Sequence, residues 1–381
     1  MKGVILDRPI EQLNKPRGVE PAGLISEFNA LGNHPEDIYG CVDQSIKSLL
    51  ARLGVPEKYA EVRCILFNAI KDLEKRPKEF SGHYIPSPET RLVLKFLVDF
   101  FVNLEKCRFF GKENFDQAID LIKGKNNVLI VQNHTSPMDT LVPLALLQEN
   151  YGDLPLSIIM SQVFEYARVT NLITSGVEKF PVFQPKHMAR FKDKPGVINE
   201  MCRQNAMALK ALLTHSKEGG KMIFLYPEKD RNSNGMGVPE PAAMGIPEVV
   251  SRARHDLYIL PTCIGGVNSI FPNSPGRNEL DDFFQIISRG QGDFYCGEPI
   301  KYSDLIEQIG LIPEEDQTQL LRKVLGSIPE DPKLKAKVII SIVINGLIAQ
   351  LVVEPKMRGI YDDALINSLV KGIVSKIRAK T

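Results

Sequence analysis

His134 and the aspartate five residues beyond it, Asp139, lie within NVLIVQNHTSPMDTLVPLALL and form the pair in this chain best suited to proton chemistry. An imidazole with one N–H bonded to a carboxylate is fixed in one tautomer, which leaves the other ring nitrogen as a base. The neighbouring residues say how such a pair would be held. The apolar run Val128 to Val131 reads as a buried strand, and Ser136, Pro137 and Asp139 read as the N-cap, first and third positions of a helix. His134 then projects from a strand-to-helix turn, with Asp139 one helical turn in and able to fold back to the ring. Ligands of open α/β sheets gather at such carboxyl ends of strands. Asp139 also fits the acidic half of a capping box, so the pair alone leaves a structural reading open. The chain has no GxSxG elbow for a serine nucleophile, and no His-rich or carboxylate-rich partner motif for a metal.

Two further segments carry charge at places where a ligand would meet it. In KMIFLYPEKDRNSNGMG, a buried-strand pattern from Met222 to Tyr226 runs into Pro227 and a polar turn bearing Glu228, Lys229 and Arg231. The planar donor fork of an arginine suits a phosphate. In KFPVFQPKHMARFKDKPG, Lys179, Lys186, His187, Arg190, Lys192 and Lys194 stand against only Asp193. Such a local excess would attract an anionic substrate or an acidic partner protein. A solvated charged loop is the competing reading of either segment.

The elements that must position these residues follow from periodicity. Up to about residue 80, apolar residues recur at helical spacing, as with Val42, Ile46, Leu49 and Leu50, and no comparable strand pattern is present. The stretch RPKEFSGHYIPSPET breaks this pattern, and a long helix follows through LVLKFLVDFFVNLEK. From about residue 125, the β-rich runs NVLIVQ, LSIIMS, KFPVFQ, KMIFLYP, YILPTCIG and DFFQIISR alternate with the helical stretches TLVPLALLQEN, VINEMCRQNAMALKALLTHS and PEVVSRARH. Alternation of this kind predicts an α/β domain with a mixed, mainly parallel sheet covered on both faces. Beyond Tyr302 the pattern is helical. The expected organisation is a helical domain over 1–80 and an α/β domain over 81–381.

Composition narrows the classes of function. The 381 residues are 43% apolar and 24% charged, and 47 Lys and Arg against 46 Asp and Glu give a formal charge of +1. A globally basic nucleic-acid binder is therefore excluded, and electrostatic recognition must come from local patches. The six cysteines are scattered without a CxxC pair, which fits a reducing compartment. Asp7, Arg8 and Pro9 interrupt any early apolar stretch, so no secretory signal is expected. The apolar run from Val338 to Val353 is broken by Ser341, Asn345, Gly346 and Gln350, and reads as a buried helix rather than a membrane span.

Taken in order, the motifs resemble those of the glycerolipid acyltransferase superfamily. NHTSPMD matches its His-x4-Asp element, YPEKDR is similar to its FPEGxR element, and YILPTCIGG and CGEPI resemble the strand and the Gly-x-Pro-Ile turn that follow. The intervening PKHM closely resembles the basic element of the soluble, plastid-type glycerol-3-phosphate acyltransferases, a branch with bacterial members. That resemblance spans about residues 133 to 300 and implies a small helical bundle packed on a large α/β domain. It implies that His134 is the general base and Asp139 its orienting carboxylate, with Lys186, His187 and Arg231 holding the phosphate of glycerol 3-phosphate. The plastid-type enzymes carry a second Arg two positions after the first; that position here is Ser233, and Lys229 is the candidate replacement.

The implied reaction is acyl transfer from acyl-acyl carrier protein or acyl-CoA to the sn-1 hydroxyl of glycerol 3-phosphate, with no metal or organic cofactor. The implied setting is the bacterial cytoplasm, or the plastid stroma for a mature organellar form, with at most peripheral contact with a membrane. Two rival readings are a lysophosphatidate acyltransferase, which would share the His-x4-Asp chemistry, and a noncatalytic scaffold binding acyl carrier protein.

Overall fold

The computed structural model describes residues 38–76, 80–135, 139–166, 168–228, 235–266 and 291–380. In chain order they form α1 (Ile38–Arg52), α2 (Tyr59–Lys75), α3 (Pro88–Phe101), β1 (Arg108–Phe110), α4 (Lys112–Lys123), β2 (Asn127–Gln132), α5 (Leu141–Tyr151) and β3 (Leu156–Ser161). There follow α6 (Val163–Tyr166), α7 (Arg168–Thr174), β4 (Glu178–Val182), α8 (Pro185–Ala189), α9 (Pro195–Ser216), β5 (Met222–Leu225), α10 (Gly245–Val250) and β6 (Leu257–Gly265). After them come β7 (Asp293–Cys296), β8 (Ile300–Lys301), α11 (Tyr302–Gly310), α12 (Glu314–Leu325) and α13 (Pro332–Ala349). A 3-10 segment, Pro355–Asp362, leads to α14 (Ala364–Arg378).

These elements fall into two compact units, one holding the described residues up to Phe101 together with Ser157–Leu212, the other those of Val102–Leu156, Leu213–Pro275 and Gly290–Thr381. In the first unit the helical front expected from apolar spacing is present. Helix α1 buries Val42, Ile46, Leu49 and Leu50, while α2 buries Val62, Leu66, Ala69 and Ile70 and packs on α3. Pro56 opens the 3-10 turn that leads into α2, where its missing N–H costs nothing. Strands β3 and β4 pair in parallel, from Ser157 opposite Glu178 to Ser161 opposite Val182. Past the end of β4, Phe183, Met188, Phe191, Val197 and Met201 form a buried apolar cluster that seats α8.

The second unit has the strand order β1-β7-β6-β2-β5, with β8 also on β6. The pairs β1/β7, β2/β6 and β2/β5 are parallel, whereas β6/β7 and β6/β8 are antiparallel. This is the mixed, mainly parallel sheet that the alternation of strands and helices predicts. All six residues of β2 are buried. An unbroken apolar strand is what a sheet covered on both faces requires, and it accounts for the run Val128 to Val131. Helix α13 is buried almost all round from Val338 to Ala349 and packs on β6 and β2, as expected for an apolar core helix. No described helix is long and apolar enough to cross a membrane.

Some elements differ from the expectation. PEVVSRARH is helical only to Val250 and then turns. The three-residue β1, and β7 and β8 on either side of the CGEPI turn, are strands too short to show a period. DFFQIISR lies outside the described residues.

Candidate active site

The second unit assembles the His134 turn from the backbone upward. The last β2/β6 register pair is Gln132 opposite Thr262. Asn133 then continues the ladder with its side chain: its amide donates to the Ile264 carbonyl at 3.0 Å, and its amide oxygen accepts the Ile264 N–H at 2.8 Å. The turn is thereby tied to β6 after regular pairing has ceased. Gln132 Nε2 donates to the Asp139 carbonyl at 2.8 Å, which brings the returning chain back over the strand end.

Asp139 is wholly buried, and among the described residues its carboxylate meets donors from His134 and Thr135. His134 Nδ1 lies 3.2 Å from Oδ2, the Thr135 backbone N–H donates to the same oxygen, and Thr135 Oγ1 donates to Oδ1 at 3.1 Å. One carboxylate thus both closes the turn at Thr135 and holds the imidazole. With Nδ1–H donated to the carboxylate, Nε2 is the ring nitrogen that keeps the lone pair. The His134 side chain keeps 25% of its surface exposed, against none for Asp139. The N-cap and first helical positions expected at Ser136 and Pro137 lie outside the described residues; the described helix opens at Leu141.

Two residues of the YPEKDR segment complete the setting. The Tyr226 ring stacks on the imidazole with centroids 4.1 Å apart and planes 23° apart, and its hydroxyl bonds Thr140 Oγ1 at 2.6 Å. Glu228, read from sequence as part of a polar turn, is instead only 3% exposed. Its carboxylate accepts the His134 backbone N–H at 2.9 Å and the backbone N–H of Gly237. Burial raises the Glu228 carboxyl to about 8, against the pull of the Gly237 and His134 N–H groups, and the nearby Asp139 charge adds to the rise. Lys229 and Arg231, with Ser233, lie outside the described residues.

The basic segment belongs to the first unit. Lys186 is exposed and His187 buried on the short helix α8. A reciprocal cap holds that helix start: the Gln184 side chain accepts the His187 backbone N–H, and His187 Nδ1 accepts the Gln184 backbone N–H at 3.3 Å. Nδ1 being an acceptor there, a neutral His187 carries its proton on Nε2 and is a donor, as a phosphate contact requires. Lys179, grouped by composition with the surface charges, is fully buried on β4. It pairs with Glu165 at 2.6 Å, donates to Thr174 Oγ1 at 3.0 Å and lies 4.5 Å over the Tyr84 ring. Its burial disfavours the ammonium, with Glu165 opposing that shift. Lys179 is therefore not part of the exposed patch, which among the residues singled out consists of Lys186, Arg190, Lys192 and Lys194.

Residues 106–265 match the Acyltransferase family model. The matched stretch holds His134, Asp139, Tyr226 and Glu228, and runs to the end of β6. It supports the resemblance to the glycerolipid acyltransferase superfamily, and acyl transfer as the chemistry of this domain. No curated protein matches the chain. Of the residues gathered around His134, Asn133 and Tyr226 are not singled out by the sequence, and Glu228 is read there only as part of a polar turn. Asn133 and Glu228 stand inside the motifs that carry the resemblance, but their roles depend on partners distant in sequence.

Proposed function

We propose that the protein moves a fatty acyl group from an acyl thioester, on acyl carrier protein or CoA, to the sn-1 hydroxyl of glycerol 3-phosphate, giving 1-acylglycerol 3-phosphate. The observation that carries the reading is the bond between His134 Nδ1 and the buried Asp139, at the carboxyl end of β2 within the acyltransferase match. In this mechanism His134 Nε2 takes the proton of the attacking hydroxyl as the C–O bond forms at the thioester carbonyl. Asp139 stabilises the imidazolium. When the tetrahedral intermediate collapses, the C–S bond breaks and the imidazolium returns the proton to the leaving thiolate, so no acyl-enzyme is required. Lys186, His187, Arg231 and Lys229 hold the acceptor phosphate, and Arg190 and Lys192 face the acidic carrier protein. The helical region over 1–80 and the α/β region over 81–381 remain the proposed domains.

Radiolabelled glycerol 3-phosphate, incubated with purified protein and either acyl-carrier-protein or CoA thioesters, tests this directly. The expected product on chromatography is labelled 1-acylglycerol 3-phosphate. Conversion of labelled lysophosphatidate alone would assign the other acyltransferase reaction, and carrier-protein binding without turnover of either acceptor would assign a scaffold.

A further inference from the structure

The acyltransferase match ends at residue 265, yet the later segment Pro355–Asp362 is linked to the His134 turn through Met236, Gly237 and the Glu228 side chain. We propose that Glu228 is a positioning residue for His134, and that it transmits to the base the placement of this later segment. The first link is the Met236 N–H, which donates to the Met357 carbonyl at 2.8 Å. The two backbones approach with glycine at the contact on both sides. A Cβ on Gly235 would lie 2.9 Å from the Met357 carbonyl oxygen, and one on Gly359, whose φ is +56°, would lie 2.7 Å from that of Met236. The next residue, Gly237, donates its N–H to Glu228, whose other carboxylate oxygen accepts the His134 N–H. Tyr361 is fully buried in the same segment, and the Glu228 charge adds to the rise that burial imposes on its phenol.

The chemistry explains why a carboxylate stands at 228. Two backbone N–H groups converge on it from segments nine and 94 residues away, one on each oxygen. A glutamine would turn an NH2 donor toward one of them, whereas a carboxyl, even where burial holds its proton on, keeps an acceptor lone pair on each oxygen; an aspartate is one methylene too short to span both. With both oxygens engaged by backbone and only 3% of the residue exposed, Glu228 is not itself the proton acceptor. Its effect is on where the imidazole sits, and displacements on the order of 1 Å can cost about 10²-fold in rate.

This rests on the reading of His134 as the base, so the test needs a measurement independent of turnover. Glu228→Gln, Glu228→Asp and Gly359→Ala would be compared with the parent protein by steady-state kinetics and by the ¹⁵N shifts of the His134 ring. The expected result is a kcat lowered about 10- to 100-fold with KM for both substrates within twofold. The ring signals would move from one fixed tautomer toward a mixture. Glu228→Asp should recover part of the loss seen with Glu228→Gln. Should Glu228→Gln fail to fold, Gly359→Ala displaces the later segment without touching the carboxylate and carries the same expectation; the reverse holds if Gly359→Ala is the unstable one. Folded variants with parental kcat and ring shifts would overturn the proposal, as would a loss confined to KM, which would place Glu228 in substrate binding. A His134→Ala protein with parental turnover would remove the base reading instead, while the ring shifts of the Glu228 variants would still report on positioning.

Discussion

The His134 turn and the stretch from Lys186 to Lys194 are both rich in polar residues, and they are built in opposite ways. Around His134 the polar groups are buried and fixed: Asn133 on Ile264, Asp139 on Thr135, Glu228 on two backbone N–H groups. At the other stretch, the cations Lys186, Arg190, Lys192 and Lys194 are exposed, and the buried residues Met188 and Phe191 serve as the anchor. A proton-transfer group must be held to a fraction of an ångström, which only a desolvated network provides, because each bond there is costly to leave unmade. Recognition of an anion or an acidic protein works at longer range and needs only charge at the surface.

Breaking the first kind of region should have the largest effect. Positioned general bases contribute about 10²–10⁴-fold, so His134→Ala should lower kcat by that order while the protein still folds. Asp139→Asn should be similarly impaired, since an amide cannot stabilise the imidazolium, and its NH2 would face at least one of the donors now met by oxygen. It should also melt lower than His134→Ala, because it leaves the buried Thr135 N–H without its carboxylate. Parental turnover in folded His134→Ala would remove the mechanism.

How much of this was legible in the sequence follows from the span of each interaction. His134 and Asp139 are five residues apart, so a strand followed by a helix start places them together from local pattern alone. The Asn133 bond to Ile264 spans 131 residues and the Glu228 bond to His134 spans 94, so neither partner can be chosen before the strand order is known. Lys179 was misplaced for a related reason. Counting charges along a stretch cannot tell a lysine on a strand, paired inside with Glu165, from one on the loop that follows. The helices α1 and α2 are plain from apolar spacing and α13 from its long apolar run, whereas three-residue β1 and two-residue β8 carry no period to read.

An intermediate effect is expected at the phosphate contacts, where the two regions should differ in which kinetic constant responds. The phosphate holds no reacting atom, so its contacts bind ground and transition states nearly alike, and their loss should raise KM for glycerol 3-phosphate more than it lowers kcat. Charge-assisted hydrogen bonds are worth roughly 1.5–3 kcal/mol, which sets the loss in kcat/KM for Arg231→Ala or Lys186→Ala at about 10- to 150-fold. If Lys229 replaces the second arginine of the plastid-type enzymes, Lys229→Ala should cost a similar amount, and Ser233→Arg in that background should restore part of it. An unchanged KM in Lys229→Ala would leave the phosphate to Lys186, His187 and Arg231.

The smallest effect, and the one that most sharpens the comparison, concerns the exposed cations. Attraction between surface charges is screened beyond about 8 Å at physiological ionic strength, whereas a buried network is nearly indifferent to salt. Raising salt should therefore increase KM for an acyl-carrier-protein donor several-fold while leaving kcat unchanged, and KM for an acyl-CoA should rise less. Charge reversal at Arg190 and Lys192, both exposed, should reproduce that selectivity at low salt. Their removal from a surface loop should not lower the melting temperature, since exposed charges contribute little to folding. Equal salt sensitivity for the two donors would mean that these cations face the acceptor or only the solvent, and that the carrier protein docks elsewhere.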